Sequence, residues 1–236
     1  MQKKTFTNVV LRIVLTVSLS GAAFGGTFDI VSQFNTSVNP NASSTFSYGY
    51  GVAGSGNFSA DSIELTNCLG SLSGCFTNST NFPDSDWKFW NATGAVQHGC
   101  CANVLQTTDN ITFDPQSSIG DILRFTAPTD GLYSLAGNFS AQDLYHHTTT
   151  AYIYENNLTQ LFTSSIGAYG AVASFNVNNI SLTAGQTLDF IVYGNGDSSY
   201  LTTGLQGTIT SEDNAPEPGT IGLLLLGLSA IRIRRK

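Results

Sequence analysis

Histidine, the side chain best suited to proton transfer near neutral pH, occurs at positions 98, 146 and 147. Asp143 stands three residues before His146 and four before His147. A loop gathering these three would supply a base and its orienting carboxylate, the core of a hydrolase. The plainer reading is a polar loop between two strands. No G-x-S-x-G elbow accompanies them, and Gly54-Ser55-Gly56 reads as a turn. Asp84 and Asp86 flank Ser85, a pair of carboxylates of the kind a glycosidase uses, and Trp87 and Trp90 follow at once. Acids beside aromatic rings also suit a sugar-binding surface, where a ring face stacks on a pyranose. Trp87 and Trp90 are therefore the candidate carbohydrate-binding residues, against the alternative that both anchor a core short of aliphatic side chains. Asp143, Asp189 and Asp197 offer oxygen ligands for calcium, although the spacing of an EF-hand is absent. Asp189 alternates with the apolar side of its strand and is expected to face solvent or an acidic patch. The expectation is a protein without catalytic residues, metal or cofactor.

The elements that must position these residues read as strands. Phe46, Tyr48 and Tyr50 alternate with Ser47 and Gly49, and residues 28–34 alternate ahead of them. Residues 58–65 offer a third strand. Between 66 and 110 the pattern weakens, and long loops around short strands are expected there. Strands then follow at 122–125, 132–139, 149–154, 158–163, 170–177, 187–193 and 205–209. Turns fall at Pro128-Thr129-Asp130-Gly131, Ala184-Gly185 and Asn195-Gly196-Asp197. Short strands with a turn every eight to twelve residues predict an all-β fold. The expected form is a two-sheet antiparallel β-sandwich, jelly-roll-like, with disulfide-pinned loops in the first half. No βαβ rhythm is present, so a parallel sheet is not expected.

The ends are of another kind. Lys3 and Lys4 precede an apolar run over 9–23, and Ala23-Phe24-Gly25 places small residues where a signal peptidase cuts. Residues 1–25 are read as a secretory signal, cut after Gly25. At the other end a polar linker (211–219) carries Pro216-Glu217-Pro218. An apolar run over 221–231 and the basic residues Arg232, Arg234, Arg235 and Lys236 follow. The body between, with its sandwich expected over 26–210, holds two basic residues in 26–214, Lys88 and Arg124. Fifteen acidic ones give that span a formal charge of −13. Such a body repels nucleic acid and anionic lipid. Nine Asn-x-Ser/Thr triplets occur and are read as a product of composition.

Four cysteines in an exported chain favour disulfides, with three pairings open. Cys100 and Cys101 are adjacent and strain a mutual bridge. Both Cys68 and Cys75 are therefore expected to reach them, although a local Cys68–Cys75 bond stays open. Zinc is the rival, with His98 two residues before Cys100.

Pro216-Glu217-Pro218, the apolar run and the arginine-rich terminus resemble the PEP-CTERM sorting tail of Gram-negative bacteria. The resemblance covers 215–236. It implies export through signal peptidase and transient inner-membrane anchoring by a C-terminal transmembrane helix (220–236). Release by an exosortase-type membrane protease to the cell surface or extracellular matrix would follow. The body resembles a β-sandwich common in proteins with this tail, on Asn39-Pro40, Phe46-Ser47-Tyr48-Gly49-Tyr50, Phe125-Thr126-Ala127-Pro128, Gly131-Leu132-Tyr133, Gly137-Asn138-Phe139 and 184–190. More distantly it is similar to trimeric C1q and TNF-like sandwiches. The function expected is that of a non-enzymatic surface or matrix protein associated with exopolysaccharide. A carbohydrate-binding module and a hydrolase around Asp143 and His146 are the alternatives.

Overall fold

Alternation of apolar and small polar residues builds nearly every element. The computed structural model describes residues 25–34, 39, 45–68, 72–77, 87–90, 97–98 and 104–212. In chain order the strands are β1 (Thr27–Asp29), β2 (Phe46–Gly51), β3 (Ser59–Ala60), β4 (Ile63–Cys68), β5 (Leu72–Thr77), β6 (Trp87–Trp90), β7 (Gln97–His98) and β8 (Leu105–Gln106). They continue with β9 (Ile111–Asp114), β10 (Gly120–Thr126), β11 (Gly131–Ala141), β12 (Thr149–Glu155), β13 (Thr159–Ile166), β14 (Val172–Leu182), β15 (Thr187–Tyr193) and β16 (Thr203–Ser211).

Among the described residues these strands form two large antiparallel sheets in a sandwich-like arrangement. The first runs β14-β11-β16-β9-β6-β5-β4, with β1 on β16, and the second runs β13-β12-β15-β10-β2-β3. A small ladder joins β7 to β8. Residues facing inward from both sheets make one apolar core. Tyr133, Leu135 and Phe139 of β11 and Leu205 and Ile209 of β16 meet Leu123 and Phe125 of β10 and Leu188, Phe190 and Val192 of β15. The aromatic pairs Phe125–Tyr133 and Phe175–Phe190, 5.8 and 5.9 Å between centroids, bridge the two sheets. Each fully buried side chain of this size contributes roughly 1.5–3 kcal/mol of transfer free energy.

Two expectations are corrected. Residues 28–34 do not form one strand: β1 ends at Asp29, whose Oδ1 accepts the Ser32 amide at 2.7 Å and turns the chain. Between 66 and 110 the expected short strands are present, but no sulfur pin is found among the described residues. β4, β5 and β6 extend the first sheet edge by antiparallel pairing, with Trp87 opposite Asp114 and Trp90 opposite Ile111. No disulfide is present among the described residues. Cys68 pairs with Leu72 and Cys75 with Leu65, so the register offsets the two cysteines along neighbouring strands. Cys100 and Cys101 lie outside the described residues. Among the described residues of this half, antiparallel hydrogen-bonded pairing joins β4, β5 and β6 to β9.

The expected transmembrane helix and inner-membrane anchor are also corrected. No helix among the described residues is long and apolar enough to cross a membrane. The apolar run on which that expectation rested is eleven residues long. As a helix it would span about 16 Å of a hydrocarbon core about 30 Å thick. It lies in 213–236, outside the described residues, as do residues 1–24 and Asp84 and Asp86.

Candidate functional site

The outward-facing positions of β11 and β16 carry Ser134, Ala136, Asn138 and Ser140 beside Gly204, Gln206, Thr208 and Thr210. Asn138 and Gln206 stand directly opposite each other, and Ala136 stands opposite Thr208. These short polar side chains floor a trough. Asp29, Val31 and Ser32 rise on one side of it, and Thr108 and Asp109 on another, around a volume of about 590 Å³. A second hollow of about 340 Å³ shares Asp109, Asn138 and Gln206 and reaches Gln142, Tyr169 and Val172. Tyr169 and Val172 are exposed.

Beneath the second hollow an amide network is held rigid. Asn110 Nδ2 donates to Thr107 Oγ1 at 2.5 Å, and Thr112 Oγ1 lies 3.2 Å from Asn110 Oδ1 and 3.3 Å from Gln142 Oε1. Gly204 makes room for it, because a Cβ there would come within 2.3 Å of Gln142 Nε2 and 2.9 Å of Asn110 Nδ2. Amides donate and accept at once, as sugar hydroxyls do. Among the described residues, the only charges lining the two hollows are the carboxylates Asp29 and Asp109.

The residues singled out for hydrolysis lie on the loop after β11. The structure does not bring Asp143 to His146. The Asp143 carboxylate accepts the Tyr145 amide at 3.2 Å, while His146 Nε2 sits 3.4 Å from Thr149 Oγ1. Burial raises the Asp143 carboxyl above its ordinary range, opposed by the Tyr145 amide and the Thr202 side chain. Burial also drives His146 down to about 4, so it stays neutral. His147 does find a carboxylate: its Nδ1 is 2.6 Å from Asp197 Oδ2, both side chains nearly half exposed. The His147 hydrogen bond, then the Ser199 amide, lower the Asp197 carboxyl. The Asn195-Gly196 turn, with φ of 56° and 92°, presents Asp197. Tyr200, at φ 59°, packs edge-on against His147 and Tyr145. A nucleophilic hydroxyl or thiol would complete a triad, but among the described hydrogen bonds none reaches His147.

Asp189 departs from expectation. It is fully buried and takes a two-pronged ion pair from Arg124, Nε to Oδ1 at 2.7 Å and Nη2 to Oδ2 at 3.0 Å. Burial raises its carboxyl, and Arg124 opposes that. Spoken for in this way, it does not join Asp143 and Asp197 around calcium. Among the described residues no cluster of three His, Cys, Asp or Glu is placed to hold a metal ion. Trp87 and Trp90 stand three positions apart on β6, a separation that alternates between the faces of a strand. Their side chains are outside what is described. The trough escaped sequence reading, because small polar residues on four separated segments carry no local signal.

No family model matches the chain, and no curated protein matches it. Solved structures similar to it include carbohydrate-binding modules and enzymes that carry them. A CBM51 from Clostridium perfringens in complex with methyl-galactose is 9% identical over 65% of this chain and 95% of that one, at a TM-score of 0.37. The K1 cleaved adhesin domain of Lys-gingipain from Porphyromonas gingivalis is 11% identical over 81% and 99%, at 0.35. A GH26-CBM35 β-(1,4)-mannanase from Podospora anserina is 15% identical over 57% of this chain, at 0.31, and the chain spans 29% of its length.

Proposed function

We propose that the body is a non-catalytic carbohydrate-binding module whose ligand lies in the trough on the outer face of the first sheet. The observation that carries this reading is an open trough floored by neutral amides and hydroxyls on paired strands. Asn138 and Gln206 line both hollows, and Tyr169 lines the second. Strand-borne polar groups hold their positions without the entropy cost of ordering a loop. Tyr169, exposed beside the second hollow, offers a ring to the apolar face of a sugar. The two lining carboxylates and the acidity of the body disfavour anionic polymers, so the ligand class is a neutral or amino-sugar polysaccharide. An exopolysaccharide of this kind fits an exported protein. Processing by signal peptidase after Gly25, and by an exosortase-type protease at Pro216-Glu217-Pro218, is part of the same proposal. The test is retention of the purified chain in native gels cast with neutral, amino-sugar or anionic polysaccharides. Retardation by a neutral or amino-sugar polymer that Asn138→Ala with Gln206→Ala abolishes is the expected result. Equal migration in every gel refutes the reading. Retardation abolished instead by Trp87→Ala and Trp90→Ala moves the site to β6.

A further inference from the structure

Lys88 is one of two cations in the body, and it is fully buried. It sits on β6 opposite Phe113, a residue of the core, and so points between the sheets. Its Nζ lies 2.9 Å from Asp61 Oδ2 and 3.3 Å from Asp121 Oδ1, and all three side chains are at 0% exposure. Asp121 comes from β10 of the opposing sheet, with its Oδ2 accepting the Asp114 amide at 3.0 Å. Asp61 is fixed through its backbone. Its amide donates to Tyr48 O at 3.0 Å, and its carbonyl accepts Asn39 Nδ2 at 3.0 Å.

A fully buried cluster of one ammonium and two carboxylates is a costly way to join chain segments. Each buried ion loses several kcal/mol of hydration, which close pairing only partly returns. The same geometry holds an amine and a carboxyl group in contact, with no translational entropy left to lose. We propose that Lys88 and Asp61 condense to an intramolecular amide cross-link, with Asp121 as the catalytic acid–base. Asp121 takes a proton from the Lys88 ammonium, and the freed Nζ lone pair forms a bond to Cγ of Asp61. The Cγ–Oδ bond then breaks. The leaving oxygen departs with two protons from the former ammonium, one carried by Asp121, as water. Ammonium plus carboxylate becomes amide plus water, so atoms and charge balance and no other reagent enters. Asp61 is the acyl partner because its oxygen is nearer Nζ, at 2.9 Å, while Asp121 at 3.3 Å is the second carboxylate within reach of the same ammonium proton. Exclusion of water then protects the amide from hydrolysis. The product is a covalent tie between β6 and the segment that connects β3 of the second sheet to β4 of the first.

The test is mass spectrometry of the purified full chain, with its mature ends sequenced. The expected mass is one water below that of the linear chain, with a branched peptide joining Lys88 to Asp61 after digestion. Asp61→Asn should lose ammonia instead and give a product of the same mass as the cross-linked wild type. Asp121→Ala should stay linear while still folded by near-ultraviolet circular dichroism. A wild-type chain that is folded yet carries a free Lys88 amine overturns the proposal, whatever the variants do. A Lys88–Asp121 branched peptide overturns the assignment of roles.

Discussion

The outer faces of the two sheets are built by the same alternation and finished differently. On the second sheet, Ile122, Tyr154 and Ile191 point outward and are buried all the same, with Ala53, Phe58, Tyr152 and Tyr193 packed on them. The segment after β2 folds over that face. Asn157 clamps it, accepting from the Gly54 amide at 2.9 Å and donating to Val52 O at 3.1 Å and Asn57 O at 2.8 Å. Arg124 lies beneath, 4.1 Å from the Phe58 ring centre. On the first sheet the outward positions are small and polar, and the trough over them is left open. A face that is apolar needs a cover. A face of amides and hydroxyls does not, and it keeps its hydrogen-bonding capacity for a partner. The difference assigns stability to one face and recognition to the other.

The largest expected effect comes from breaking the closed face. Arg124→Ala leaves Asp189 buried without its cation and should cost about 3–5 kcal/mol in urea unfolding. A cost near zero would mean that the Arg124–Asp189 pair is not what this face is built around. Asn157→Ala removes three hydrogen bonds that pin the cover and should cost about 1–3 kcal/mol. Limited proteolysis should then cut within 52–57, and an uncut segment would show that the cover stands without its clamp. Asn157 is one of the nine Asn-x-Ser/Thr sites, and its complete burial agrees with reading those triplets as composition.

A smaller effect sits at the end of β9. Burial, with Asp143 adding to it, pushes the half-buried Asp114 carboxyl up to about 7. The folded chain therefore keeps a proton that the unfolded chain releases from about pH 4 upward. Stability from this group falls as pH rises from about 4 to about 7, then levels off. Asp114→Asn should raise Tm by a few degrees at about pH 8 and leave it unchanged at about pH 3.5. An equal gain at both pH values would rule out titration as the cause. The smallest stability effect belongs to the open face. Asn138→Ala with Gln206→Ala should move unfolding by no more than about 0.5 kcal/mol, while polysaccharide retention falls at least about tenfold.

The sequence made the second half of the fold legible because its strands obey strict alternation. In β15 the core residues Leu188, Phe190 and Val192 are every second residue, and β10 and β11 follow suit, while in β14 a register shift between Val177 and Ile180 moves the core set by one residue. The Asn195-Gly196 turn was readable from residue type alone. The strands β5 and β6 were not, and β4 was read only in part, since Thr, Asn, Cys and Lys88 interrupt their apolar pattern. Asp189 was misread for a physical reason. Alternation told correctly that it faces away from the core, but a cover formed more than a hundred residues earlier decides whether that face meets water. The same non-locality hid Lys88, which reads as a surface cation until two aspartates from distant segments close on it. The trough is a surface assembled from Asp29, Asp109, Asn138 and Gln206, and no window of sequence contains it.

Titration calorimetry of the purified chain tests the central claim most directly, against the neutral or amino-sugar polysaccharide that retards it most. The account predicts saturable binding by wild type, unchanged binding by the Asn157→Ala chain with its cover loosened, and loss of binding by the Asn138→Ala, Gln206→Ala chain. Binding that survives the trough substitutions but is lost with the cover would contradict it, because recognition would then belong to the closed face.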